Sequence, residues 1–197
     1  MYYQPLTKFP QSVLVEQYQR PVSNENVPKF WNVKLEFFTK EVNDLFTNCG
    51  LTLKDGEIFK KIPLAIGAIH SDIVWDYNTN FWTPWNCALN INLDNTDSLM
   101  YWYSASATPI FPIETIPSFN REKLNGIHYG NRHNKDFKNS DKFSLLGTLR
   151  LSSPTLLKTS VPHSVENTDN KNRWCISLRF EGNPSFYECM DKLKEWI

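Results

Sequence analysis

The chain has 197 residues, in which 21 Lys and Arg balance 21 Asp and Glu, so its formal net charge is zero. Proteins that grip nucleic-acid backbones normally carry a clear basic excess, and this balance therefore argues against nucleic acid as the partner. The 13 Phe, 8 Tyr and 7 Trp exclude a disordered chain. A chain of this length suits a single domain, residues 1–197, around one hydrophobic core.

Membrane and secreted classes are not favoured. The longest apolar run, residues 62–69, has eight residues, whereas a membrane-spanning helix needs about 20. The first residues lack the basic segment followed by an apolar one that marks a secretory signal. The four cysteines are scattered without a C-x-x-C pair, which predicts buried, reduced thiols. We therefore expect a cytoplasmic protein without a membrane partner.

Two helices are predicted, one on each side of a β-rich centre. Residues 1–28 contain four prolines and form an arm with one strand candidate at residues 12–15. Between residues 28 and 49 apolar residues recur every three or four positions, and Gly50 follows where a helix favours glycine. Residues 184–197 have the same spacing. Seven β-like runs lie between the helices: residues 56–62, 64–72, 86–93, 99–104, 143–151, 155–160 and 173–180.

These elements predict a mainly β domain with flanking helices, in the form of a sandwich or a barrel. The arm and first helix take residues 1–55, the β core residues 56–180 and the last helix residues 184–197. Within the core, residues 104–142 form a long polar insertion, with 6 Lys and Arg against 3 Asp and Glu between residues 118 and 142. Such a segment is either a solvated loop or a lid that helps to hold an anionic substrate.

The candidate chemistry begins at the sequence AIHSD, where one residue separates His70 from Asp72 at the end of an apolar run. Side chains two residues apart on a strand point to the same face. An imidazole and a carboxylate there can supply two ligands to a divalent metal, and a third would complete a facial triad with open positions for substrate and oxygen. By itself the motif also fits a core histidine followed by a turn acid.

The third ligand has to come from elsewhere in the chain. Of the three remaining histidines, His128 and His133 lie in the polar insertion. His163 instead follows an apolar run and precedes a further β-like segment. It is the histidine that a rigid sheet would present, and we therefore predict it as the third ligand.

An anion site is predicted beside this metal site. Arg173 follows His163 by ten residues, across the turn-rich residues 167–172. The spacing predicts a β-hairpin that brings the two Cα atoms to about 5 Å. The arrangement suits a dicarboxylate that chelates the metal through a 2-oxo acid end while a bidentate Arg holds its far carboxylate. Arg179 shares the face of Arg173 on the strand 173–180 and is the competing anion ligand.

The order of these motifs resembles the iron(II)/2-oxoglutarate-dependent dioxygenases, in particular their aspartyl/asparaginyl β-hydroxylase-like branch. The likeness runs from about residue 56 to residue 180 and includes CALNINL at residues 87–93 and VPHSVEN at residues 161–167. It implies a double-stranded β-helix, which is a jelly-roll or cupin-like fold.

The resemblance also implies roles for single residues. It gives Fe(II) three protein ligands, which would form the catalytic centre: His70, Asp72 and His163. Arg173 would bind the C5 carboxylate of the cosubstrate 2-oxoglutarate. Members of this branch often carry basic side chains where this chain has Asn90 and Asn92, and these two would face the cosubstrate. The implied reaction uses O₂ to hydroxylate a peptide side chain, an amino acid or a small metabolite.

Other classes fit the same residues. A cupin-like module could bind a metal and a ligand without turnover, although it needs no guanidinium beside the metal. A structural jelly-roll protein could carry these histidines without bringing them together. A hydrolase or isomerase is disfavoured, because no Ser, Cys or Lys stands beside a second base in the pattern of an activated nucleophile.

Overall fold

The computed structural model describes residues 1–10, 12–21, 29–76, 81–106, 126–130 and 142–197. Within these residues the protein is mainly β, as predicted, with two short helices, α1 (Lys40–Asn48) and α2 (Phe186–Lys192). The strands of the described residues are β1 (Tyr3–Pro5), β2 (Lys29–Val33), β3 (Leu53–Lys61), β4 (Ile69–Asp76), β5 (Phe81–Pro84), β6 (Ala88–Asn92), β7 (Ser98–Ala105), β8 (Gly126–Gly130), β9 (Phe143–Arg150), β10 (Thr155–Leu157), β11 (His163–Asn167) and β12 (Arg173–Phe180).

The strands form two antiparallel sheets. The first sheet has the order β1-β10-β6-β12-β3-β2, and the second has the order β5-β4-β11-β7-β9 with β8 also paired to β4. From β9 to β12 each successive strand changes sheet. Residues that are close in sequence therefore end on opposite sides of the space between the sheets.

The main hydrophobic core lies on one face of the first sheet. Alternation along β12 turns Ile176, Leu178 and Phe180 to this face, where they are fully buried against α1 and α2. Phe46 of α1 packs edge-on to Phe180 with ring centroids 5.1 Å apart. The other face of the same strands is thereby left to line the space between the sheets.

The single helix predicted over residues 28–49 is wrong in its first half. The chain instead forms β2, a 3₁₀ turn at Leu35–Phe37, and then α1. β2 pairs with β3 and so satisfies backbone groups at the edge of the first sheet, and Trp31 stacks on Trp174 at 5.5 Å. Gly50 follows the helix with φ +68°, as its position predicted.

The other predicted elements differ from the structure mainly at their boundaries. Residues 12–15 make only an isolated bridge, between Leu14 and Phe38. The run predicted at residues 64–72 becomes a loop followed by β4, which extends to Asp76. The last predicted helix is α2 followed by a 3₁₀ turn at Lys194–Trp196. The insertion lies outside the described residues apart from residues 104–106, 126–130 and 142.

The predicted hairpin between His163 and Arg173 is also wrong. β11 pairs with β4 and β7 of the second sheet, whereas β12 pairs with β3 and β6 of the first. The connection therefore crosses between the sheets, and Asn167 secures its start by donating from Nδ2 to the carbonyls of Ile62 (2.9 Å) and Lys171 (2.7 Å). A ten-residue spacing fits a crossover as well as a turn, and the buried amide hydrogen bonds select the crossover.

No helix in the described ranges is long and apolar enough to cross a membrane. The four cysteines are all free thiols, and Cys87, Cys175 and Cys189 are buried, in agreement with the expectation from their spacing.

Candidate metal centre

The structure brings together the three predicted metal ligands. His70 and Asp72 lie two residues apart on β4 and share a face, as strand alternation requires. His163 is the first residue of β11, and its Cα pairs directly with that of His70. One ligand atom from each of the three residues lies within 4.8 Å of the others.

The orientation of both imidazoles leaves the same nitrogen to face Asp72. Nδ1 of His70 lies 2.9 Å from the Ala68 carbonyl, and Nδ1 of His163 lies 2.8 Å from the Val161 carbonyl. A carbonyl oxygen can only accept, so Nδ1 donates in each ring and Nε2 keeps its lone pair. The two Nε2 atoms lie 3.6 Å and 3.9 Å from Asp72 Oδ1.

This donor set fits a divalent transition metal. Two imidazole nitrogens and one carboxylate oxygen are the ligands of the facial triad that holds non-haem Fe(II). Ligand atoms at right angles around such an ion, each about 2.1 Å from it, would be roughly 3 Å apart. The observed separations of 3.6 Å and 3.9 Å are within about 1 Å of this spacing.

Burial keeps one ligand neutral. The side chain of His163 is 5% exposed, and burial lowers its pKa to about 4. The imidazole is therefore uncharged at neutral pH, which is the form that binds a metal. The side chains of His70 and Asp72 are more open, at 28% and 17% exposure, so the centre faces accessible space on their side.

A cavity of about 470 Å³ lies between the two sheets and is lined by all three candidate ligands. The first sheet contributes a mostly polar wall: Asn90, Arg173, Cys175, Ser177 and Arg179. Met100 and Val165 add apolar surface from the second sheet. The cavity thus places a metal-ligand group and a set of polar side chains around one space.

Arg173 reaches this cavity although it is not in a hairpin with His163. It is the first residue of β12 and is only 4% exposed. Its Nε and Nη2 atoms are buried and have no hydrogen-bond partner among the described residues. Leaving buried guanidinium donors unmatched is unfavourable, so this side chain is suited to an anionic ligand.

Arg179, the competing anion ligand, is already engaged. It lines the cavity, and its Nη2 donates to Glu57 Oε2 at 2.6 Å. Its Cζ also lies 5.6 Å from the ring centroid of Trp85. Burial raises the pKa of Glu57 despite the guanidinium beside it. An anion would have to displace this carboxylate, and Arg173 is therefore the less occupied of the two arginines.

The two asparagines predicted to face the cosubstrate lie in different environments. Asn90 lines the cavity, and its Oδ1 is buried without a partner among the described residues. Asn92 does not line the cavity, because its Nδ2 donates to the Leu151 carbonyl at 2.5 Å. A shared strand face therefore does not give the two residues a shared role.

Lys61 is a cavity residue that the sequence did not reveal. It ends β3, and its Cα pairs with that of Arg173. Lys61 could be found only from the register of β3 against β12. Sequence spacing does not give this register, because the two strands are more than a hundred residues apart. Of the histidines left aside, His128 lies on β8 with its Cα paired to that of His70, and His133 lies outside the described residues.

No protein-family model and no curated protein matches the chain. Three similar solved structures are E. coli ycfD (TM-score 0.40, 12% identity), the non-heme alpha ketoglutarate dependent carbocyclase SnoK from nogalamycin biosynthesis (0.40, 10%) and EvdMO1 (0.36, 13%). They cover 77%, 77% and 85% of this chain, which in turn covers 32%, 62% and 39% of theirs. The chain thus spans less than two thirds of each, and likeness this low carries no argument about function.

Proposed function

We propose that the protein is a non-haem Fe(II)- and 2-oxoglutarate-dependent oxygenase that hydroxylates a peptide side chain, an amino acid or a small metabolite. The observation that carries the proposal is the content of one cavity. It holds two imidazoles and a carboxylate within 4.8 Å of one another, together with a buried arginine whose Nε and Nη2 have no hydrogen-bond partner among the described residues. A metal site alone leaves this arginine unexplained.

In this proposal His70, Asp72 and His163 hold Fe(II). Hydrogen bonds from the two Nδ1 atoms to backbone carbonyls fix the rings, so that little ordering is needed when the ion binds. Arg173 binds the far carboxylate of 2-oxoglutarate through its unmatched Nε and Nη2 donors. Asn90 lines the same wall of the cavity, and its unmatched Oδ1 can accept only from a ligand that carries an N–H or O–H donor.

The bound ion would supply activation of O₂, coupled to decarboxylation of 2-oxoglutarate. One oxygen atom would enter succinate, the other would enter the hydroxylated substrate, and CO₂ would be released. The chain's own part is to hold the reactants close and to limit water. Met100, Val165 and Ile66 provide apolar lining for that purpose.

The fold within this proposal is a double-stranded β-helix. Supporting it are the inner strand orders β10-β6-β12-β3 and β4-β11-β7-β9, and the exchange of sheets from β9 to β12. The proposal keeps residues 1–197 as one domain. Within the oxygenases, we propose that the protein belongs to the aspartyl/asparaginyl β-hydroxylase-like branch. The support for this branch is the order of the motifs between residues 70 and 173.

Anaerobic titration with Fe(II) and then 2-oxoglutarate tests the proposal. We expect the wild-type protein to bind both and to develop the weak visible charge-transfer band of an Fe(II)–2-oxoglutarate chelate. His163→Ala should abolish the band, and Arg173→Ala should weaken it. Arg150→Ala is the matched control, because Arg150 is an exposed residue paired with Asp97. Admission of O₂ should then produce succinate.

Two results would overturn the proposal. Metal binding without any effect of 2-oxoglutarate would indicate a cupin-like metal-binding module. Failure to bind any divalent metal would show that His70, Asp72 and His163 do not form a metal site, and would favour a structural β protein.

A further inference from the structure

We propose that Lys61 is a second cation of the cosubstrate site and that it binds, together with Arg173, the far carboxylate of 2-oxoglutarate. The inference rests on the proposed function and extends it to a residue that the motifs did not indicate. It also names a source of selectivity, because two cations at one end of the cavity favour a dicarboxylate over an oxo acid that lacks the second carboxylate.

The register of β3 and β12 places the two cations side by side. Lys61 and Arg173 are direct Cα partners in an antiparallel pair, so their side chains share a face. Both line the cavity. Like charges directly opposite each other on a sheet repel, and an anion bound between them would offset this repulsion.

The position of the Lys61 ammonium is well defined. Its Nζ donates to the Val165 carbonyl at 2.6 Å, on the strand that begins with His163. Gly67 leaves room for it, because a Cβ at residue 67 would lie 2.6 Å from Nζ. Since an ammonium has three donors, this one hydrogen bond leaves others for a ligand.

The charges around this pair favour an added anion. Burial and the Arg173 charge lower the pKa of Lys61 to about 8, while Glu166 on β11 acts in the opposite direction. The Glu166 carboxylate also accepts a hydrogen bond from Tyr101 at 2.5 Å. A carboxylate bound between Lys61 and Arg173 would offset the positive charge of both side chains.

A matched pair of ligands tests the inference. 2-Oxopentanoate has the same carbon chain and the same metal-binding end as 2-oxoglutarate but lacks the far carboxylate. Dissociation constants for both are measured by calorimetry on the Fe(II)-loaded protein without O₂. We expect Lys61→Met to weaken 2-oxoglutarate binding by about 10-fold or more and to leave 2-oxopentanoate within about 2-fold, since hydrogen bonds to charged groups are worth that much.

A second variant moves the ammonium without removing it. Gly67→Ala places a Cβ 2.6 Å from Nζ, so the long Lys61 side chain has to move its ammonium aside, and the variant should reproduce the selective loss of 2-oxoglutarate affinity. Gly147→Ala is its control, because the nearest atom to the new Cβ is 3.7 Å away. Lys34→Met is the control for Lys61→Met, because Lys34 has a side chain that is 78% exposed.

A purely structural role for Lys61 predicts a different pattern. Equal loss of affinity for both ligands in the Lys61 and Gly67 variants would mean that the hydrogen bond to Val165 only holds the cavity in shape. Unchanged 2-oxoglutarate affinity in both variants would also overturn the inference and would leave the proposed function standing. If wild-type protein binds metal but not 2-oxoglutarate, the inference and the proposed function fail together.

Discussion

Two backbone carbonyls decide which nitrogen each candidate histidine ligand presents. The acceptor lies two residues before the histidine in both cases, at Ala68 for His70 and at Val161 for His163. Each carbonyl fixes the tautomer and turns Nε2 toward Asp72. Both acceptors are backbone carbonyls of this chain, so the chain itself orients the two rings.

Asp72→Asn should lower the affinity for Fe(II) or Mn(II) by more than about 100-fold, because the amide keeps the shape of the carboxylate but not its charge. The metal dissociation constant, measured by competition with a chelating dye, checks this. Asp97→Asn is the control, since Asp97 pairs with Arg150 and Thr168 away from the cavity. Equal affinity in both variants would remove Asp72 from the ligand set.

Residue-scale prediction from sequence worked where local geometry was sufficient. The alternation of a strand places His70 beside Asp72, and the same rule places Arg173 and Arg179 on the cavity face of β12. It could not show that Asn90 lines the cavity while Asn92 does not, because the Leu151 carbonyl that accepts a hydrogen bond from Asn92 comes from a distant segment. Nor could it find Lys61, whose importance depends on which strand lies beside β3.

At the scale of elements, α2 is defined by its first turn. The Ser185 hydroxyl accepts from the Glu188 N–H at 3.2 Å, and the Glu188 carboxylate accepts from the Ser185 N–H at 2.8 Å. This reciprocal pair is a capping box. It starts a short helix that buries Phe186 and Cys189 in the main core.

Ser185→Ala should reduce the free energy of unfolding by about 1 kcal/mol, because one N–H at the start of α2 loses its acceptor. Urea denaturation of the metal-free protein measures this change. Ser152→Ala, at an exposed position, should alter stability by less than about 0.5 kcal/mol. A change in metal affinity for Ser185→Ala would contradict the separation of α2 from the metal centre.

Secondary-structure elements were predicted well where the local sequence pattern determines them. They were predicted poorly where pairing with a distant strand determines the structure. The runs at residues 143–151 and 173–180 match β9 and β12 closely. Residues 29–33 carry a helix-like spacing, yet Phe30 is 54% exposed and the segment adds an edge strand to β3. The spacing from His163 to Arg173 likewise could not tell a hairpin from a crossing between sheets.

Considered as a whole, the molecule uses the two faces of its first sheet differently. One face of β12 builds the core, with Ile176, Leu178 and Phe180 fully buried. The opposite face brings Arg173 and Arg179 into the cavity. The core is able to stabilise a sheet whose other face holds unmatched polar groups, and such groups are typical of binding sites.

The lowered pKa of Lys61 makes the free energy of unfolding depend on pH. In the unfolded chain its pKa is the ordinary 10.5, whereas burial and Arg173 lower it to about 8 in the folded protein. Between these values the unfolded state binds more protons, so the Lys61 contribution to the free energy of unfolding rises with pH. The gain across the whole interval is at most about 3 kcal/mol.

The free energy of unfolding of the wild-type protein should therefore rise relative to that of Lys61→Met as pH increases from about 8 toward 10.5. Taking the difference removes the titration of other groups common to both proteins. The facing charges are those of Arg173 on β12 and Glu166 on β11, and both are retained in the variant. Urea denaturation of both metal-free proteins at a series of pH values supplies the difference. A difference that stays constant across this range would contradict the lowered pKa of Lys61 in the folded protein. The charged form of Lys61 would then not be destabilised by burial and by Arg173.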